Sequence, residues 1–143
     1  MIKTSLEQIV DTHDNFRALL NVSLPTKVAY WVNRIYNKVL PLVEQFKEDQ
    51  NKLIKKYGEG IMGEDKKITK YEVKEGENKE KYLKEIDDLV KKEVEICFDD
   101  GTPFYTIPLR ALEKLPIAPK MLIDYVFSED SEHPAFKKGL KED

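Results

Sequence analysis

The sequence predicts an α+β fold, mostly α: a long kinked helix packed by shorter helices, with a small antiparallel β-hairpin or three-stranded sheet. Three observations predict it. From Leu24 to Tyr57, apolar residues recur at Val28, Trp31, Val32, Ile35, Val39, Leu42, Val43, Phe46, Leu53, Ile54 and Tyr57. Those spacings of three and four place them on one face of a helix with about 3.6 residues per turn. Val94-Glu95-Ile96-Cys97-Phe98 alternates as a strand does, and Asp99-Asp100-Gly101-Thr102 after it is a tight-turn signal. The remaining apolar stretches are short and bounded by proline, glycine or asparagine, which suits small elements packed on one long one.

Taken in order, residues 5–21 carry Leu6, Ile9, Val10, Phe16, Leu19 and Leu20 and read as a helix with Ser5 as N-cap. The polar middle, Asp11 to Asn15, leaves open two shorter pieces. Ser23-Leu24-Pro25 ends that element and opens the long helix, where a proline in the first turn costs nothing. The long helix should span roughly 50 Å at about 1.5 Å per residue. Pro41 inside it removes a bond to the Asn37 carbonyl and predicts a kink, the alternative being two helices that break there. The stripe keeps its phase across the proline, which favours the kink. Gly58 is read as the helix C-cap.

Gly58-Glu59-Gly60-Ile61-Met62-Gly63 matches G-x-G-x-x-G literally. A dinucleotide site needs a strand before the glycines and a helix after them, and the order here is reversed. Residues 67–74 read as a short strand and residues 79–92 as an amphipathic helix, with Asn78 as N-cap and Tyr82, Leu83, Ile86, Leu89 and Val90 on one face. Val94, Ile96 and Phe98 point inward in the next strand, and Phe104 to Ile107 return as its hairpin partner. A lone hairpin is marginal in water, so 67–74 or the helices must cover it. Residues 108–115 and 119–127 read as two short helices, each opened by a proline. The domain is expected over 1–127, with 128–143 a polar flexible tail in which Phe136 is free to dock.

Composition limits the function classes. Apolar residues make up 41% and charged residues 36%, and the net charge is −3. Residues 1–60 carry nine Lys or Arg against seven Asp or Glu, so the excess of acid lies in the second half. No signal peptide is expected, since the first residues lack an apolar run. No stretch approaches the ~20 apolar residues of a membrane span. Cys97 is the single cysteine, so no intrachain disulfide forms. A cytoplasmic or virion setting follows as the expectation, and the sequon Asn21-Val22-Ser23 is incidental.

Constellations that carry chemistry are sparse. Asp11, His13 and Asp14 form the one local pattern suggestive of a metal or phosphohydrolase site, but a metal needs three or more converging ligands and His133 lies in the expected tail. Cys97 has no histidine at a readable spacing. Ser23, Ser128 and Ser131 sit in no nucleophile motif. No enzymatic activity, metal or cofactor is expected. Arg17, Lys27, Arg34, Lys38, Lys47, Lys52, Lys55 and Lys56 have interleaved Glu44, Glu48 and Asp49, which cancel much of the field a nucleic acid would feel. The usable oddity is aromatic. Tyr30 falls off the buried stripe one turn from Arg34, and Trp31 and Tyr36 lie at its edges. Tyr30, Trp31, Arg34 and Tyr36 are therefore the candidate protein interface, against the plain reading that they cover neighbouring helices. A stripe this long is also a candidate for self-association.

Several segments together carry a family resemblance. They are the helix ending Lys56-Tyr57-Gly58, the Ile68-x-x-Tyr71-x-Val73 segment, and the step from Leu89 to Glu93-Val94-Glu95-Ile96, with the Ile107–Leu115 stretch after them. Over residues 25–127 the chain resembles a group of small phage-encoded proteins of unknown function. The resemblance implies a phage context and brings no catalytic residues. The expectation is a non-enzymatic protein-binding module of phage origin, an accessory virion or assembly protein partnered by a phage structural protein. The alternative is an anti-defence or host-takeover factor that binds a host protein or sequesters a small signalling nucleotide.

Overall fold

The computed structural model describes residues 2–64, 66–113, 115 and 117–136. It is an α+β arrangement dominated by helix. Strand β1 (Ile2–Ser5) leads directly into helix α1 (Leu6–Leu20). The Ser5 side chain accepts a hydrogen bond from the Gln8 backbone N–H at 3.1 Å, the predicted cap, and Glu7 suits the positive end of the helix dipole. The helix is continuous through its polar middle. Leu6, Ile9, His13, Phe16 and Leu19 form its buried face.

Helix α2 (Thr26–Tyr57) runs 32 residues without a break at Pro41, so the two-helix alternative is excluded. Pro41 and Asn37 both lie on the exposed face. The carbonyl that Pro41 leaves unpaired is therefore on the solvent side, where the loss is smallest. Val28, Val32, Ile35, Val39, Val43 and Phe46 are buried, whereas Leu53, Ile54 and Tyr57 beyond them are only half-buried. Gly58 caps the helix, its N–H bonded to the Ile54 carbonyl at 2.7 Å. Glycine is required there because a Cβ would sit 2.9 Å from the Glu72 carbonyl oxygen.

The strands pair differently from the prediction. β2 (Glu59–Met62) and β3 (Ile68–Glu72) form an antiparallel hairpin at the end of α2, with Gly60 opposite Tyr71. Helix α3 (Glu77–Val90) starts at Glu77 with Gly76 as its N-cap, not Asn78. Gly76 takes φ +131°, a conformation that favours glycine, and Glu77 and Glu80 fill the acidic first turn. β4 (Glu93–Ile96) pairs with β1, Ile2 opposite Ile96 and Thr4 opposite Val94. The expected hairpin of 94–98 with 104–107 reduces to one bridge, Cys97 to Pro103. The Asp100-Gly101 turn forms as predicted, with Gly101 at φ +87°. The Phe98 and Phe104 N–H groups flank that bridge, donating to the Thr102 and Ile96 carbonyls, but Ile96 is already paired with Ile2 of β1, and Phe104 turns into the core at 1% exposure. Instead β5 (Ile107–Pro108) runs parallel to β6 (Phe127–Ser128). The described residues thus hold three two-stranded pairings and no three-stranded sheet.

The two predicted C-terminal helices are single 3₁₀ turns, Leu109–Leu112 and Pro119–Met121. Prolines at 108, 116 and 119 leave each piece too short to offset the cost of nucleating an α-helix. Their apolar residues still reach the core: Leu112, Ile123, Val126 and Phe127 are buried with Phe16, Ile35 and Phe104. Leu122 is an exception and stays exposed. Packing also continues past residue 127, where a flexible tail was expected. His133 is 2% exposed and Phe136 packs on the core cluster. The remainder of that expected tail, 137–143, lies outside the described residues.

The division of α2 sets the expected response to substitution. Ile35 is fully buried between α1 and the C-terminal segment, so Ile35→Ala should cost about 2–5 kcal/mol in urea unfolding. Leu83 on α3 is 52% exposed, and Leu83→Ala should stay within about 0.5 kcal/mol. Comparable losses in the two variants would contradict this placement of the core.

Candidate protein-interaction cleft

The early turns of α2 place Lys27, Trp31 and Arg34 along one flank of the buried stripe. Trp31 is half-buried between two sets of rings. On one side Phe98 and Phe104 stack with centroids 4.0 Å apart, and both meet Trp31 edge to face. The Arg34 guanidinium lies 4.6 Å from the Phe98 centroid and 5.5 Å from that of Trp31. It also donates to the Tyr30 hydroxyl at 2.6 Å. A planar cation held this way covers ring faces and gains cation–π attraction. On the other side the His133 ring meets Trp31 at 4.3 Å and Phe136 meets His133 at 5.0 Å. Between these sets opens a cleft of about 390 Å³ whose walls include Trp31, Phe98, Pro103, Tyr105, His133 and Pro134.

The segment carrying His133 is held at several points. Thr106 and Ser128 share a hydroxyl hydrogen bond of 2.6 Å, and the Ser131 hydroxyl donates to the Thr106 carbonyl. Lys27 donates to the Ala135 carbonyl at 3.0 Å, and Arg110 donates to that of Phe136. His133 Nδ1 accepts the Ala135 N–H at 3.1 Å. That bond leaves the ring's proton on Nε2, which is buried and has no hydrogen-bond partner. Burial, with a smaller contribution from the Lys27 charge, pushes the His133 pKa down from 6.5 to about 4. At neutral pH the His133 imidazole in the cleft wall is thus neutral, with its Nε2 nitrogen shut away from the surface.

Compared with protein-family models, with curated proteins and with solved structures, the chain matches none.

Of the residues singled out in the sequence, Trp31 lines this cleft, and Tyr30 and Arg34 lie beside Trp31 without lining the cleft. Tyr30 is 51% exposed. Tyr36 does not join them. Its hydroxyl lies 3.1 Å from His13 Nε2 and its ring meets Phe16 edge to face, so it covers α1 as the plainer reading held. His13 is correspondingly buried rather than solvated, and burial lowers its pKa, helped by Lys47 and Arg17. Asp11 and Asp14 are exposed. Among the described residues, no group of three or more His, Cys, Asp or Glu side chains is placed to hold a metal. None of their helices is long and apolar enough to cross a membrane.

Sequence reasoning missed Phe98, Tyr105 and His133 as parts of one site. The available signal was their chemistry: rings and a histidine in otherwise polar stretches, close to proline. A second opening, about 470 Å³ between α2 and α3, has Leu53 and Leu89 at its floor and mixed charges around them, including Lys56 and Glu85. It is broad, and its cations and carboxylates already face one another, with Lys56 3.6 Å from Glu85.

The lowered His133 pKa has a definite sign in stability. Between pH 6.5 and about 4 the unfolded chain binds a proton at His133 that the folded chain does not. Stability is therefore fully present above that window and falls as pH drops through it. At about 1.4 kcal/mol per pKa unit, His133 should account for roughly 2–3 kcal/mol of loss between pH 7 and pH 4.5. Urea unfolding of the wild type and His133→Phe at the two pH values isolates it, because His13 and the carboxylates are common to both. Parallel pH dependences would contradict the assignment.

Proposed function

We propose that this chain is a non-enzymatic protein-binding module of phage origin, an accessory virion or assembly protein, and that it holds a partner segment in the Trp31 cleft. The observation that carries the reading is the cleft itself: apolar and walled by ring faces, with Trp31, Phe98, Tyr105 and His133 among its lining. Its volume is in the range of sites that receive ligands or anchor side chains, roughly 300–1,000 Å³. Tryptophan, tyrosine and arginine at its mouth are the residue types that dominate binding energy at interfaces. Phage origin rests on the resemblance in the Lys56-Tyr57-Gly58 and Leu89 to Ile96 segments. The setting it implies is the host cytoplasm or the virion.

The reading as a host-acting factor uses the same cleft with a host protein as partner. Its nucleotide-sequestering form has less support: among the described residues that line the cleft none is a lysine or arginine, and Arg34 beside it is engaged with ring faces and the Tyr30 hydroxyl.

Affinity capture from phage-infected cells tests the proposal. A capsid or tail protein is the expected catch. Trp31→Ala and Tyr105→Ala should each reduce it about tenfold or more, which corresponds to about 1.4 kcal/mol, while Leu83→Ala leaves it intact. A host protein captured through the same residues would move the chain to the host-acting reading. Absence from virions and assembly intermediates, with capture indifferent to Trp31, would overturn the proposal.

A further inference from the structure

We infer that residues 129–136 form a strap hinged at β6, and that protonation of His133 lifts the strap off α2 while the core stays folded. This is a property of the free chain and needs no occupant in the cleft. Up to the hinge the chain is anchored: Phe127 is buried, and Ser128 pairs with Pro108. The face of α2 is already covered by α1 and by Phe104, Ile107, Val126 and Phe127, all of which precede the strap. Beyond the hinge the hold is lighter. Glu129, Asp130, Glu132 and Pro134 are exposed. The bonds from Lys27 to the Ala135 carbonyl and from Arg110 to that of Phe136 lie at the surface, where water competes for both partners. Phe136 is only partly buried. His133, at 2% exposure, is the one fully buried side chain of the strap.

The seat of that side chain suits the neutral ring alone. Nδ1 accepts the Ala135 N–H at 3.1 Å, so a proton added there sets donor against donor. Nε2 is buried with no acceptor, so the new charge finds no hydrogen bond on that side either. Around it stand the rings of Trp31, Phe136 and Tyr105. The charged groups that face the strap from other elements are cations: Lys27 on α2 and Arg110 in the Leu109–Leu112 turn, with Arg34 against Trp31. The carboxylates of the strap itself point to solvent exposure rather than to a buried ion pair. Lifted into water, the ring regains the ordinary pKa of 6.5, against about 4 when seated. Acid therefore favours the lifted form, increasingly as pH falls from 6.5 towards 4. Lifting carries His133, Pro134 and Ala135 away from the cleft and uncovers Trp31.

Native-state amide exchange in the full ¹⁵N-labelled chain tests this, at pH 6.5 and pH 4.5 over a series of sub-denaturing urea concentrations. Rates are divided by the free-peptide rate at each pH. The opening constant at Ala135 and Phe136 should rise about 40-fold between the two pH values, from the two pKa values of His133. It should depend little on urea, because lifting a few residues exposes little surface. Opening at Ile35 and Val39 in the core should depend steeply on urea. His133→Phe and His133→Gln do not titrate there, and in whichever of them seats the strap the rise should disappear. Urea dependence at Ala135 and Phe136 equal to that at Ile35 would mean that the strap leaves only with global unfolding, and would overturn the inference. So would an opening constant that does not change with pH in the wild type, or the same rise in a variant whose strap is seated.

Discussion

The rest of the structure depends on the burial of one face of α2, from Val28 to Phe46, between two layers of the same chain. Helix α1 covers it with Ile9, Phe16 and Leu19, and the C-terminal third covers it with Phe104, Ile107, Val126 and Phe127. Each fully buried aliphatic side chain contributes on the order of 1.5–3 kcal/mol. The stripe therefore supplies the driving force that organises several elements too short to persist alone. β1, with four residues, and the two-residue strands β5 and β6 are ordered because that core fixes their neighbours. Beyond Phe46 the covering thins. The far end of α2, the β2–β3 hairpin and α3 form an arm in which no helix α3 residue is fully buried, and Met62 and Ile68 stay exposed. By the usual relation between burial and local opening, this arm should open more readily than the core.

The cleft is a by-product of the same burial. Trp31 stands where the stripe meets the solvent-facing side of α2, and it needs covering from whatever returns to the helix. Two distant pieces do so. The Asp100-Gly101 turn brings Phe98 and Phe104 to one side, and the segment around His133 comes to the other. Because β4 pairs with β1 and meets the returning chain at a single bridge, the chain leaves the turn as an irregular loop, and ring faces rather than strand edges line the gap. The cost is a buried, neutral histidine with one nitrogen unsatisfied. A buried donor without a partner is uncommon in a folded protein, and here it lies beneath the wall of the aromatic cleft.

The helices were legible in the sequence because their apolar periods are long. The α2 stripe spans many turns, and α1 and α3 each repeat three- and four-residue spacings over at least three. Ser5 and Gly58 were readable as caps from local chemistry alone. β1 was not, since Ile2-Lys3-Thr4-Ser5 has a single apolar residue and its partner lies some ninety positions away. The C-terminal turns carried helical spacing at Leu109, Leu112 and Leu115, but proline overrode it. The site was half legible. Tyr30, Trp31 and Arg34 stood out because they fall beside the stripe, and Tyr36 stood out for the same reason yet packs against Phe16. Helical position tells which flank a side chain occupies but not which distant segment covers that flank. His133 was placed in a polar tail because Ser128 to Glu132 is polar, and the lock at Ala135 and Phe136 is made by long-range bonds from Lys27 and Arg110 that no local pattern announces.

The central claim is that residues 128–136 are seated on α2 and complete the Trp31 cleft. Native-state hydrogen exchange read by NMR addresses it most directly, at the Ala135 and Phe136 amides, which bond to His133 Nδ1 and to the His133 carbonyl. Protection well above the unstructured rate, lost in His133→Gly while the α2 amides keep theirs, is the result expected. Exchange at the free-peptide rate for both amides in the wild type, with α2 fully protected, would mean that the segment is not seated and that the cleft does not exist as described.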